Sequence, residues 1–343
     1  MPGKIVNIDG KYYVHYTYNG KKAIHQVSTY EVGLDVINNI EKSLNKKIDI
    51  FSFFANKYME SAKRSCKPST YEDYRTIMQL HILPHFENTP IANIKKANIR
   101  EFLRSKLDQG YSNSTVKHIQ AVLSNIFWIA IEYEAIQNNP AIKIKKLYPK
   151  EKKNNKKYMT KAEVDLLVEN ARTKMQKYFP LILLLARTGL RIGEAIALKW
   201  KDIDFENKTI TISRSIVRRR IGTPKNGQTR TIDMTPQLCK VLFSLTKKSE
   251  WIFPSKTLEK PIDGDNFRKR VFKPLVRLSN LPESTRIHDL RHAYASALIQ
   301  NGTNLLYVKN QLGHHSIQIT VDTYGHLEPK TNKKEVDILD LKN

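Results

Sequence analysis

The chain has 343 residues, a formal net charge of +25 and a pI near 9.8. That length suits two or three domains with separate cores, and that charge makes a polyanion the expected partner, ahead of a ribosome-associated or merely soluble basic protein. Two distant cysteines, Cys66 and Cys239, support neither a disulfide framework nor a cysteine zinc site. The opening residues lack the apolar core of a signal peptide, and no apolar run nears the ~20 residues of a membrane span, so a reducing, cytoplasmic setting is expected.

Taken in chain order, the first pattern is an alternation from Lys4 to Val27. Tyr12, Val14, Tyr16 and Tyr18 share one side, and Asn19-Gly20 separates two runs, which predicts a β-hairpin, followed by a short helix from about Thr29 to Asn45. The lysines and tyrosines of this domain, residues 1–48, are expected to lie in a DNA groove, with simple packing as the alternative. From Ile50 to about Ile142 the pattern turns helical and accommodates four helices, giving a second domain over residues 49–145. Ser69-Thr70-Tyr71-Glu72 reads as a capping box opening one helix, Pro84 as its end, and Ser114 as the cap of a long helix striped by Leu123, Phe127 and Ile131. Between Ala141 and Lys157 eight lysines accompany one glutamate, and Pro149 interrupts. This predicts an exposed basic linker, residues 146–157, lying along a phosphate backbone.

The last region, residues 158–343, opens on a second capping box, Thr160-Lys161-Ala162-Glu163. Helices are expected through Ala197, then strands over Thr209–Val217 and Gln228–Met234 joined by a turn from Gly222 to Gly227, then helices to Tyr324. The fold class expected is multidomain and mainly α with small β parts: a small N-terminal sheet domain, a helical domain and an α+β domain.

Five motifs in this last region carry chemistry. Arg191 lies in Thr188-Gly189-Leu190-Arg191-Ile192-Gly193-Glu194; His288, Arg291 and His292 lie within five residues; His314 follows Leu312-Gly313; Tyr324 comes ten residues later; and Lys225 sits among the basic residues Lys208, Arg214, Arg218, Arg219, Arg220 and Arg230. Negative charge grows on the oxygens of a phosphodiester under attack, and guanidinium groups can meet it with paired hydrogen bonds. A tyrosine hydroxyl, with a free pKa of about 10, can attack once a base helps it, and histidine is suited to that task. His288 and Arg291 share a helical face, with His292 near it. Gly313 is expected to end one helix and place His314 on a turn, Ser316 to cap the helix bearing Tyr324, and Glu194 to orient Arg191 or support a histidine. Most neighbours of Lys225 are expected only to touch backbone phosphates. The i, i+4 spacing of His288 and His292 also fits a helical zinc site completed by His314, His315 or His326, but that reading leaves the two arginines and the net charge unused.

These motifs, in this order and spacing, resemble the tyrosine recombinases of the phage integrase type across the whole third region. The segment from Ile50 to Ile142 resembles their core-site-binding domain, and the first domain resembles their arm-site-binding domain in size and strand pattern. The resemblance implies that Tyr324 attacks a scissile phosphate to leave a 3′-phosphotyrosine and a free 5′ hydroxyl. It also implies that Arg191, Arg291 and His314 stabilise the transition state, that His288 assists proton transfer from the tyrosine, and that Lys225 protonates the leaving 5′ oxygen. Glu194 and His292 are supporting residues. No cofactor and no metal are implied.

The partners implied are double-stranded DNA attachment sites, three further copies of the chain forming a homotetramer on two duplexes, an excision or directionality factor, and a host DNA-bending protein, in the cytoplasm of a bacterial host at its nucleoid. The tail from Leu327 to Asn343, with Val336, Ile338 and Leu339, is expected to dock on a neighbouring protomer. The extra N-terminal domain favours the integrase of a phage or conjugative element over a chromosome or plasmid dimer resolvase. A non-catalytic DNA-binding protein and a metal-dependent hydrolase are the alternatives from other classes.

Overall fold

The computed structural model describes residues 3–18, 21–48, 50–144, 147–148, 158–224 and 226–327, and the chain divides into two compact units, residues 1–153 and 154–343. Its first sheet has three strands, not two. The alternating run breaks at Asp9-Gly10, where both residues take positive φ (49° and 80°), the geometry of a tight hairpin turn. The order is therefore β1 (Gly3–Ile8), β2 (Lys11–Tyr18), β3 (Lys21–Val27), all antiparallel. Helix α1 (Tyr30–Ile48) covers the side bearing Tyr12, Val14 and Tyr16: Val14 is fully buried and Tyr12 meets Tyr30 edge-on at 6.1 Å. Tyr12, Val14 and Tyr16 thus lie on a packing face. Gly33 of α1 permits this approach, because a Cβ there would lie 2.9 Å from Ile5.

The helical part of the first unit comprises α2 (Phe51–Ser65), α3 (Pro68–Ile77), α4 (Leu83–Phe86), α5 (Lys96–Asp108) and α6 (Asn113–Glu132). Three local expectations need correction. The third helix starts at Pro68, with Lys67 as its cap, because proline at the first position lacks only an N–H that would have no helical partner. Ser112, not Ser114, caps α6, its hydroxyl accepting from the Thr115 N–H at 3.2 Å. Nor does Pro84 end its helix. A π-helical turn, Met78–Ile82, links α3 to α4, and the Leu83 N–H bonds to the Met78 carbonyl five residues back. The added residue shifts the hydrogen-bond register where proline would otherwise strike the preceding turn. Counted as one bent element, α3 and α4 leave four helices around a core in which Phe51 packs between Phe86 (5.6 Å) and Phe127 (6.0 Å). The start of the lysine-rich segment belongs to this core: Ala141 and Leu147 are buried, and Gln120 Nε2 donates to the Ala141 carbonyl at 2.7 Å.

The second unit begins with α7 (Lys161–Lys174), whose capping box is formed as expected: the Thr160 N–H donates to Glu163 Oε2 at 2.7 Å and the Glu163 N–H to Thr160 Oγ1 at 3.2 Å. Then come α8 (Phe179–Thr188), α9 (Ile192–Ala195), β4 (Ile203–Asp204), β5 (Thr209–Ile212), β6 (Ser215–Val217), β7 (Arg220–Gly222), β8 (Arg230–Asp233) and α10 (Pro236–Phe243). The run expected as one strand over Thr209–Val217 splits in two. Arg214 turns aside to pair with Asp202, β5 stays between β4 and β8, and β6 leaves to pair with β7. The turn accordingly falls at Arg218-Arg219, both at positive φ, with Arg219 anchored to Asp263 at 2.7 Å. Helices α11 (Gly264–Phe267), α12 (Lys273–Leu278), α13 (Ile287–Gln300), α14 (Leu305–Leu312) and α15 (Ile317–Tyr324) complete the unit. A second π-helical turn, Arg268–Phe272, again precedes a proline, Pro274. The main core joins α8 to the sheet through Leu181, Leu185, Ile210 and Ile232. A smaller cluster of Ala295, Ile299, Val308, Leu312 and Tyr324 knits α13, α14 and α15 together. No helix among the described residues is long and apolar enough to cross a membrane.

Candidate active site

Arg191 owes its position to two tight turns. Helix α8 ends at Gly189 in the left-handed conformation (φ 63°), where a Cβ would lie 2.6 Å from Tyr294; a Cβ on Gly193 would lie 2.4 Å from the Ile216 carbonyl. Between them Arg191 caps α9, and its Nη1 donates to Glu194 Oε1 at 3.0 Å. Glu194 is 1% exposed and also receives Arg230, whose Nη2 reaches Oε2 at 2.7 Å and Nη1 reaches Oε1 at 3.2 Å. Burial alone would raise the Glu194 carboxyl, but the Arg230 hydrogen bond and the charges of Arg230 and Arg191 outweigh it and hold the group below its usual range. The carboxylate therefore orients two arginines.

Arg291 is 2% exposed on α13. Its Nη1 donates to the Gly189 carbonyl at 2.9 Å and its Nη2 to the Leu312 carbonyl at 2.7 Å. Both acceptors stand at helix C-termini, where carbonyls lack helical partners and the peptide dipoles favour a cation. Burial, then the Arg191 charge, pushes Arg291 down to about 9, which leaves it charged at neutral pH. Arg291 thus fastens α8 to α14.

His314 follows Gly313, which ends α14 at φ 65° as expected, and its Nδ1 lies 2.9 Å from Thr320 Oγ1. Burial and the charges of Arg291 and Arg191 push it down to about 4. His288 keeps an exposed edge at the start of α13, yet desolvation, then His292 and Arg291, push it too down to about 4. Both histidines are neutral at pH 7. Ser316 caps α15 through the Gln318 N–H at 3.2 Å, and that helix carries Tyr324, which is 1% exposed. Burial pushes the tyrosine hydroxyl well above its usual value.

The hydroxyl lies 2.6 Å from His292 Nδ1. In this structure the hydroxyl's hydrogen-bond partner is His292, beside His288, which is expected to assist proton transfer from the tyrosine. Tyr158 stacks against His292 at 5.1 Å, lies 5.9 Å from the Tyr324 ring, and donates to the Thr323 carbonyl at 3.5 Å. Lys225, residues 328–343 of the tail and most of the basic linker lie outside the described residues. Among the described residues no three His, Cys, Asp or Glu side chains gather as metal ligands, so the histidines of the zinc alternative do not form a site there.

Two contributors escaped the sequence reading. Arg230, grouped with the phosphate-contacting basic residues, is drawn inward to Glu194 and to the Gln311 carbonyl (3.2 Å). Its signal was the period of two: it shares a strand face with buried Ile232 and Met234. Tyr158 carried no comparable signal, since its partners lie more than a hundred residues away.

Comparison with known proteins places the chain in a family. The phage integrase family model matches residues 157–331, more than half of the chain, and the phage integrase N-terminal SAM-like domain matches residues 50–107. The chain belongs to the phage integrase family, and with it to the tyrosine recombinase class of enzymes. It is 29% identical over 306 residues to the ICEBs1 integrase of Bacillus subtilis (strain 168), covering 82% of this chain and 80% of that protein. Among solved structures, the Tn1549 transposon integrase in complex with a circular intermediate DNA superposes with a TM-score of 0.72 at 22% identity, over 84% of this chain and 99% of that one. A lambda integrase tetramer bound to a Holliday junction gives 0.64 at 19% identity, over 92% and 96%. The expected fold class, mainly helical with small sheets, holds.

Proposed function

We propose that the chain is the integrase of a bacterial mobile element, cutting and rejoining DNA at attachment sites through a covalent 3′-phosphotyrosine. The observation that carries this reading is the convergence of Arg191, Arg291, His288, His314 and Tyr324, from four separate segments, on the ends of α8, α13, α14 and α15. Tyr324 attacks the scissile phosphorus. Arg191 and Arg291 meet the charge that grows on its oxygens, His314 and His288 serve as neutral imidazoles beside them, and Lys225 protonates the departing 5′ oxygen. Bond energy stays in the protein–DNA ester, so rejoining needs only a 5′ hydroxyl from the partner duplex.

Residues 49–145 and 158–343 are assigned to the core site, joined by the basic linker of residues 146–157, with four copies holding two duplexes. Residues 1–48 are assigned to separate arm sites. The sheet side away from α1 supports that, because the register places Lys4 opposite His15, and Lys11 and Lys22 share that side with Tyr13. Docking of the tail on a neighbouring copy, a directionality factor, a DNA-bending host protein and a nucleoid location belong to the same reading.

Tyr324→Phe is the decisive test. On a nicked suicide duplex taken from the DNA flanking the gene, the variant should bind as the wild type does and form no covalent adduct in a denaturing gel. An adduct that persists in the variant would refute the assignment.

A further inference from the structure

We infer that His292 is the base that takes the proton from Tyr324 during strand cleavage, an inference that rests on the recombinase reading above. The geometry singles it out. His292 Nδ1 stands 2.6 Å from the tyrosine Oη, at the short end of the range in which a general base works. His288, one helical turn earlier, presents its ring to the His292 ring at 5.0 Å and 87° rather than to the hydroxyl. His314 is engaged through Nδ1 with Thr320. Tyr158 stacks on His292 at 5.1 Å with the ring planes 29° apart and is tied to α15 through the Thr323 carbonyl, so imidazole and nucleophile share one aromatic neighbour.

A phenol donating to Nδ1 requires the tautomer with its proton on Nε2. In the step assigned here the Oη–H proton passes to His292 Nδ1, leaving an imidazolium. The bond from Oη to phosphorus forms as the bond from phosphorus to the 5′ oxygen breaks, and that oxygen takes its proton from Lys225. On rejoining, the 5′ hydroxyl gives its proton back to the Lys225 amine and attacks phosphorus, the bond from phosphorus to Oη breaks, and the imidazolium returns its proton to Oη. The high pKa that burial gives the tyrosine makes such a partner necessary, because a free phenolate is scarce at neutral pH.

The test uses the full chain and the suicide duplex that the wild type converts to an adduct, made with either oxygen or sulfur at the bridging 5′ position. Sulfur leaves without a general acid, so it compensates for a lost acid but not for a lost base. His292→Phe, which keeps a ring against Tyr158, should slow adduct formation by about 10²–10⁴-fold on both duplexes, whereas Lys225→Ala should recover on sulfur. His292→Asn, which keeps a hydrogen-bonding group but no base, should also be slow, and it decides the matter if the phenylalanine variant does not fold. Wild-type rates in either folded variant, or recovery of His292→Phe on sulfur, would overturn the assignment. If the wild type forms no adduct, or Tyr324→Phe still does, the recombinase reading falls as well.

Discussion

Arg191 meets Glu194 three residues away, but Arg291 and Glu194 are also held by groups that a sequence window cannot contain. Arg291 finds its carbonyls at Gly189 and Leu312, and Glu194, on helix α9, finds Arg230 on strand β8. Local features were legible: the box of Thr160 and Glu163, the cap at Ser316 and the left-handed Gly313 all depend on neighbours within a few residues. The pairing of Tyr324 with His292 rather than His288 was not, because adjacent turns of α13 offer both imidazoles and only the docking of α15 chooses between them.

The neutral state of His288 and His314 makes a prediction about pH. Both stand near 4 in the folded chain, whereas histidine in the unfolded chain stands near 6.5. Between those values the unfolded chain binds protons that the folded chain does not. Their contribution is therefore present above about pH 6.5 and lost as pH falls toward 4. Thermal unfolding followed from pH 7 to pH 4.5 should show the midpoint falling, and His314→Gln should flatten the fall by on the order of 1 kcal/mol after allowing for solvent screening. A slope unchanged by that substitution would contradict the account.

At the scale of elements, strand β8 and helix α14 act as a clamp. Gln311 donates to the Asp233 carboxylate at 3.0 Å and accepts from the Asp233 N–H at 3.1 Å, while Arg230 reaches across to the Gln311 carbonyl. Gly313 makes the crossing possible, for a Cβ there would lie 2.8 Å from three atoms of the Arg230 side chain. Gly313→Ala should cost about 1–3 kcal/mol, because it adds backbone strain and displaces Arg230 from Glu194. Its adduct rate should fall even where the protein remains folded, as measured by melting and suicide-substrate assays on the same preparation. The strand break at Arg214 was hidden from pattern reading for a similar reason: the partner that interrupts the alternation, Asp202, lies in an earlier turn.

For the whole molecule, the net charge of +25 belongs to the phosphate backbone in the proposed function. Each phosphate neutralised by lysine or arginine releases counterions, so affinity should fall as a power of salt concentration. With six to ten such contacts, the loss between 50 and 200 mM salt should be about 10³–10⁵-fold, read by fluorescence anisotropy with a site duplex. A flat response would rule out an interface dominated by phosphates.

Tyr158 gives the chain's linear order a meaning of its own. It is the first described residue after the lysine-rich segment, and its ring lies against both members of the pair that exchanges the proton. The first described residue of the second unit and the surroundings of Tyr324 therefore share one side chain. In the proposed function, where the lysines just upstream meet a duplex, the load they take up would arrive next to the proposed nucleophile.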